Sequence, residues 1–199
     1  MDYYFTIENT AVAEFKDRGS KFLAYSFPVQ SGDELKKHLQ ALKKEHPGAV
    51  HYCFAYKTGT DGNSFRVSDD GEPSGTAGQQ ILGQINARNL TDILVIVLRY
   101  FGGTLLGVPG LINAYKTAAS LVLQCTPSIQ KAIECNYELQ FNYTEMHEVM
   151  RIVKQFNCTV HQNEMQLFCK METGIPRNKL DEVIAAFGEV KNLELNRVN

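Results

Sequence analysis

Ile93-Leu94-Val95-Ile96-Val97-Leu98-Arg99 is an unbroken apolar run that ends on a cation. A strand with one wet face would alternate apolar and polar residues. A continuous run of this length fits a strand covered on both faces, so other elements must pack on each side of it. Downstream, glycines at 102, 103, 107 and 110 open the way to Leu111, Tyr115, Ala118 and Val122, which share one face of a helix. Upstream, Ile81, Leu82 and Ile85 predict a short helix, preceded by a Gly- and acid-rich loop from Ser68 to Gly78. Val50 to Tyr56 and Ser64 to Val67 read as strands joined by the turn Thr60-Asp61-Gly62-Asn63.

Nearer the start, Ala11 to Phe15 and Phe22 to Phe27 are β-like runs flanking Asp17-Arg18-Gly19-Ser20, a hairpin pattern. Ser31 and Glu34 have capping-box spacing ahead of Leu35, Leu39 and Leu42, and Pro47-Gly48 stops that helix.

Beyond Thr126-Pro127-Ser128, a plausible linker, the pattern changes. Ile133, Cys135, Tyr137, Leu139, Phe141 and Tyr143 alternate with polar residues, as in a half-buried strand. Met146, Val149, Ile152, Val153 and Phe156 follow at helical spacing. Next come a short strand near Thr159 and another carrying Met165, Leu167, Cys169 and Met171. A helix opened by Pro176 and closed by Gly188 as its C′ residue precedes a last strand through Val190 to Leu195. The order β-α-β-β-α-β is that of a ferredoxin-like domain, so the fold class is α+β with domains 1–127 and 128–199.

Composition restricts the function classes. Twenty basic and 22 acidic residues give a net charge of −2. They divide as 12 and 12 up to Gln130, then 8 and 10. Neither half is a basic nucleic-acid wrapper, which leaves only a focused site. Five scattered cysteines without a C-x-x-C pair argue against structural zinc and a disulfide framework, and fit a reducing compartment. The acidic start lacks a signal peptide's basic and apolar regions, and no segment approaches a membrane span, so a cytoplasmic protein is expected.

Two loops could carry chemistry. Ser68-Asp69-Asp70-Gly71-Glu72-Pro73-Ser74-Gly75-Thr76-Ala77-Gly78 places three carboxylates within four positions, where they could hold a divalent cation or share a proton. The plain alternative is an acidic turn with Thr76 as N-cap of the next helix. Arg99-Tyr100-Phe101-Gly102-Gly103-Thr104-Leu105-Leu106-Gly107-Val108-Pro109-Gly110 could gather N–H groups and a guanidinium around an anion, or could need glycine merely for close packing. His51 opens a strand as a candidate base or ligand with Cys53 on the same face, although that spacing suits a nucleophile pair poorly. Lys116 is placed to reach an anion at the glycine loop, or to sit on a solvated helix face. The remaining histidines show no metal spacing. The wet face of the second domain, with Glu134, Glu138, Gln140, Gln166, Phe168, Lys170 and Glu172, carries one aromatic residue and is no stacking RNA platform.

His51-Tyr52-Cys53, the stretch 68–78 and Val97-Leu98-Arg99-Tyr100-Phe101-Gly102-Gly103-Thr104-Leu105-Leu106-Gly107, continuing through Gly110-Leu111 to Ala114-Tyr115, closely resemble the YigZ-like bacterial members of the IMPACT family. The resemblance covers residues near 15 to 125. It implies an N-terminal domain of the ribosomal protein S5 domain 2-like fold and a ferredoxin-like C-terminal domain similar to one of a translation elongation factor. Eukaryotic relatives act in translational control by competing for a regulator of an initiation-factor kinase, using an additional domain not expected here; bacteria lack that pathway. The expected function is therefore non-enzymatic binding linked to regulation of translation, with a ribosome, RNA or protein ligand, a translation factor included, held at a groove formed by residues 68–78 and 99–110, without membrane or cofactor. The ligand-binding residues would be His51, Asp69, Asp70, Glu72, Thr76, Arg99, Tyr100, Gly102, Gly103 and Lys116. The alternative is an enzyme in which Asp69, Asp70 and Glu72 hold Mg²⁺ and Arg99 stabilises charge on a phosphorylated small molecule or nucleotide.

Overall fold

The computed structural model describes residues 2–60, 63–165 and 168–198. The chain forms two compact units, one of residues 4–131 and one of residues 132–199 together with 1–3.

The first unit contains, in order, β1 (Tyr3–Ile7), β2 (Ala11–Asp17), β3 (Ser20–Pro28), α1 (Glu34–Glu45), β4 (His51–Thr58), β5 (Ser64–Ser68), α2 (Gly78–Ala87), β6 (Ile93–Tyr100), α3 (Gly107–Gln124) and β7 (Ser128–Ala132). Five strands form an antiparallel sheet in the order β2-β3-β6-β4-β5, with the apolar run as its central strand β6. The run is continuous because both faces of β6 are covered. Ile93, Val95 and Val97 pack with Ile81 and Ile85 of α2 and Tyr115, Ala118 and Val122 of α3. Leu94, Ile96 and Leu98 pack on the other side with Leu35 and Leu42 of α1.

The Ser31–Glu34 pair is half a capping box. The Glu34 carboxylate accepts the N–H groups of Ser31 and Gln30, whereas the N-cap residue is Asp33, without a side-chain bond. The linker expected at 126–128 is displaced. Thr126 is buried and its hydroxyl donates to the Val122 carbonyl, closing α3, while β7 begins at Ser128 and pairs with β1. The boundary between units therefore falls at Lys131/Ala132. The turn expected over 60–63 lies partly outside the described residues.

In the second unit β8 (Glu134–Asn142), α4 (Met146–Gln155), β9 (Thr159–Met165), β10 (Phe168–Pro176), α5 (Leu180–Gly188) and β11 (Glu194–Arg197) follow one another. Their sheet has the order β11-β8-β10-β9 and is antiparallel throughout. Tyr137, Leu139, Phe141, Met171 and Ile175 face a core completed by Val149, Ile152, Val183 and Phe187 from the helices. Two expectations shift. Val190 is not in a strand but is buried after α5, its N–H on the Phe187 carbonyl, so β11 starts later; Gly188 is the last residue of α5, followed by Glu189 as C-cap. Gln166 and Leu167 lie outside the described residues. All five cysteines are free.

Gly102 is required for packing. A Cβ there would overlap the backbone of Gly19 and Ser20 in the β2–β3 turn, where Gly19 itself has φ of +81°. Gly102→Ala is expected to destabilise the protein by about 1–3 kcal/mol or more, since backbone cannot step aside as a side chain does. Gly83, on α2 with open space around it, is the control. Gly83→Ala is expected to stabilise by about 0.5–1 kcal/mol. Urea denaturation of both variants measures the two shifts.

Candidate functional site

The acidic loop begins where β5 ends. Glu72 N–H donates to the Asp69 carbonyl at 2.9 Å, closing a tight turn whose central residues, Asp70 and Gly71, have φ of +42° and +88°. Left-handed backbone at both positions explains the glycine and the Asx residue beside it. The turn sends its three carboxylates to three different tasks. Asp69 Oδ1 accepts N–H from Ala77 at 3.0 Å and Gly78 at 2.8 Å, and Oδ2 accepts N–H from Gly75 at 2.8 Å. It thus caps α2 from a distance. Asp70 Oδ2 accepts the Tyr52 N–H at 2.7 Å, tying the loop to β4. Glu72 turns inward.

Thr76 is not the N-cap of α2; that position is Ala77, and the Thr76 hydroxyl donates to the Pro73 carbonyl at 2.7 Å. Asp69 has taken over the capping role. Burial, the largest influence on its acidity, pushes its pKa up, but the N–H groups of Gly75, Gly78 and Ala77 together outweigh it and leave the carboxyl below its usual value.

Arg99, the cation that ends β6, meets Glu72 in the interior. Nη1 lies 2.8 Å from Glu72 Oε1, with side chains 6% and 3% exposed. Tyr115 of α3 donates its hydroxyl to the same oxygen at 2.7 Å. Arg99 Nη2 reaches Ser20 Oγ at 3.5 Å, and the guanidinium stands 5.7 Å from the ring centre of Phe22 and 5.6 Å from that of Phe101. Its Nε is buried without a partner among the described residues. This guanidinium holds the protein's own carboxylate rather than standing free for a phosphate.

His51, the first residue of β4, lies opposite Arg99 in the ladder. Its Nδ1 is 2.8 Å from the Asp70 carbonyl, an acceptor only, so Nδ1 carries the proton. Nε2 lies 3.9 Å from Glu72 Oε1. Cys53 donates its thiol to the Asp69 carbonyl at 3.0 Å, and burial pushes its pKa far up, the reverse of an activated nucleophile.

His51, Glu72 and Arg99 form the polar part of a groove of about 540 Å³ lined by Val50, His51, Glu72, Pro73, Arg99, Phe101, residues 105–108 and Leu111. Its mouth is apolar: Val50, Phe101, Leu105 and Val108 are 49–83% exposed. The other expected residues are elsewhere. Tyr100 faces the α1 side of the sheet, its hydroxyl 2.9 Å from His46 Nδ1. Lys116 is exposed and does not line the groove. Gly102 packs on the β2–β3 turn, and Gly103 supplies φ of +84°. Pro109, in the first turn of α3, lacks the N–H that an anion site there would use. Among the described residues no group of three or more His, Cys, Asp or Glu side chains could hold a metal ion. Of the mouth residues, Phe101, Leu105 and Val108 lie within the stretch 99–110 but are not among the expected ligand-binding residues, and Val50 lies outside both stretches. Their signal is Leu105-Leu106 and Val108 in a glycine-rich loop, where polar residues are the rule.

On the second unit a hollow of about 600 Å³ is lined by Gln140, Phe141, Asn142, Phe168, Asn192, Leu193 and Glu194, mostly polar side chains. The first unit's groove differs in joining a buried ion pair, Glu72 with Arg99, to exposed apolar residues.

Fold and groove together define an α+β protein with a deep-seated ion pair under an apolar mouth. Residues 18–123 match the Impact N-terminal domain. IMPACT family member YigZ of Escherichia coli (strain K12) is 30% identical over 182 residues, 90% of this chain and 88% of that protein. IMPACT family member YvyE of Bacillus subtilis (strain 168) is 31% identical over 193 residues, 89% of each. A crystal structure of a hypothetical protein superposes with a TM-score of 0.77 and 26% identity, covering 100% of this chain and 98% of that one. The chain belongs to the IMPACT family.

Two measurements test this geometry. Glu72→Ala and Arg99→Ala each strand a buried charge and are expected to cost about 3–5 kcal/mol, whereas the double variant Glu72→Ala/Arg99→Ala loses clearly less than the sum of the two single changes. Urea unfolding of all the variants gives the coupling. Asp69→Asn is expected to cost about 1.5–3 kcal/mol at neutral pH, the range for hydrogen bonds to a charged group. Because folding depresses the Asp69 pKa, its stabilisation is full above the unfolded value of about 3.9 and fades as pH falls through the folded one. Thermal melts of wild type and variant should therefore converge below about pH 4.

Proposed function

We propose that this chain is a non-enzymatic binding protein linked to regulation of translation, taking a protein ligand of the translation machinery in the groove of its first unit. The apolar mouth is the observation that carries the reading. Four apolar side chains around one hollow form the kind of exposed patch that marks partner sites. A phosphate-reading site would keep its arginine's charge free, whereas that of Arg99 is paired with Glu72. A protein surface therefore suits this groove better than an RNA backbone.

Family membership supports the translational context, since the resemblance implies that eukaryotic relatives act there. The first unit is read as the S5 domain 2-like fold and the second as ferredoxin-like, the latter supported by its β-α-β-β-α-β order. Among the described residues no helix is long and apolar enough to cross a membrane, which is compatible with work in the cytoplasm. The role needs no cofactor.

Leu105 is 83% exposed, so Leu105→Asp should leave the melting temperature nearly unchanged. In sucrose gradients of cell extract, the wild-type chain is expected to co-sediment with ribosomal particles and the Leu105→Asp variant to remain at the top. Equal sedimentation of the two, or release of the wild type by mild ribonuclease that leaves ribosomal proteins assembled, would move the contact away from this groove or to RNA.

A further inference from the structure

We infer that the groove anchors a neutral aromatic side chain carrying one hydrogen-bond donor, the indole of a tryptophan or the phenol of a tyrosine on the protein partner, with that donor given to His51 Nε2. The inference rests on the partner-binding reading and names what enters the groove.

In its neutral form the His51 ring presents a hydrogen-bond acceptor to the groove. Its Nδ1–H is committed to the Asp70 carbonyl at 2.8 Å, so the neutral ring keeps its lone pair on Nε2. Nε2 lies 3.9 Å from Glu72 Oε1, itself an acceptor and already filled by Arg99 and Tyr115. Among the described residues no donor reaches Nε2, and the His51 side chain is 24% exposed in the groove lining. The site therefore asks its occupant for a donor.

Charge restricts the occupant further. Glu72 and Arg99 are the charged residues of the lining, and they neutralise one another beneath the surface. A Lys, Arg, Asp or Glu entering between Leu105, Leu106, Val108 and Leu111 would give up water without gaining a free counter-charge. Serine and threonine carry a donor but little apolar surface to cover the mouth. Tryptophan and tyrosine combine a large apolar body with a single polar tip, and the half-exposed Phe101 ring offers an aromatic wall for edge or offset stacking. A hollow of about 540 Å³ is large enough for two fused rings.

The test is an NMR titration of the full chain with indole, 1-methylindole and the neutral peptide acetyl-Gly-Trp-Gly-amide. Indole and the peptide are expected to shift the amide resonances of Val50, His51 and Gly107 and the ¹⁵N resonance of His51 Nε2. Methylation of the indole nitrogen should weaken binding about tenfold, the loss of one hydrogen bond. His51→Phe should abolish that preference; because this variant also loses the bond to Asp70, the Nε2 shift in the wild type provides an independent readout. Equal affinity for indole and 1-methylindole would overturn the donor contact while leaving the partner groove standing. Indole binding tenfold tighter than the peptide would overturn the protein source. If none of the probes shifts these resonances at millimolar concentration, the aromatic anchor is wrong, whereas the Leu105→Asp sedimentation result still judges the partner-binding reading separately.

Discussion

The buried pair of Arg99 and Glu72 is the constraint on which the first unit's loops depend. Separated by 27 positions, the two residues meet at 2.8 Å with almost no water around them. Desolvating both charges is expensive, and such pairs add little net stability over apolar residues of the same shape. Their value is geometric. A carboxylate that must find this guanidinium fixes the acidic loop over the end of β6, and Tyr115 on the same oxygen ties α3 to that point. Ser20 brings in the β2–β3 turn, where Gly102 makes room for the close approach. Four segments distant in sequence are thereby held in one arrangement.

That arrangement explains why residues that look like a phosphate or metal site in sequence behave otherwise in space. Each charged group in the two loops has an internal partner: Asp69 the N-terminus of α2, Asp70 the β4 backbone, Glu72 and Arg99 one another. With the polar groups occupied below, the surface above is left to Val50, Phe101, Leu105 and Val108. A charged frame under an apolar mouth can hold the mouth rigid. Rigid apolar surface loses less side-chain entropy on binding than a flexible one.

The sequence reveals what is local and periodic. The apolar run of β6 and the face of Leu111, Tyr115, Ala118 and Val122 on α3 are readable because burial repeats at the period of the element. The alternation from Cys135 to Phe141 likewise reports one covered face of β8. What is not readable depends on contacts between distant positions. Nothing local to Asp69 says that it caps a helix starting nine residues later, in place of Thr76. Nor does Arg99 announce that its partner lies in the preceding loop. Tyr100 shows the cost of treating a motif as a unit: next to Arg99 in sequence, it points to the opposite face because strand neighbours alternate.

The same alternation clarifies His51 and Cys53. They share a face of β4, yet the loop turn treats them differently: the Asp69 carbonyl receives the buried thiol and the Asp70 carbonyl orients the imidazole. Two successive carbonyls of one turn thus receive the thiol, which burial keeps protonated, and set the tautomer of the neutral ring. Because that turn is held by Glu72 on Arg99, the acceptor presented by His51 is itself a product of the buried pair. The lining of the groove and the architecture of the loops are therefore a single physical problem in this protein: a change that frees Glu72 would alter the groove's polar lining without touching any residue at its mouth.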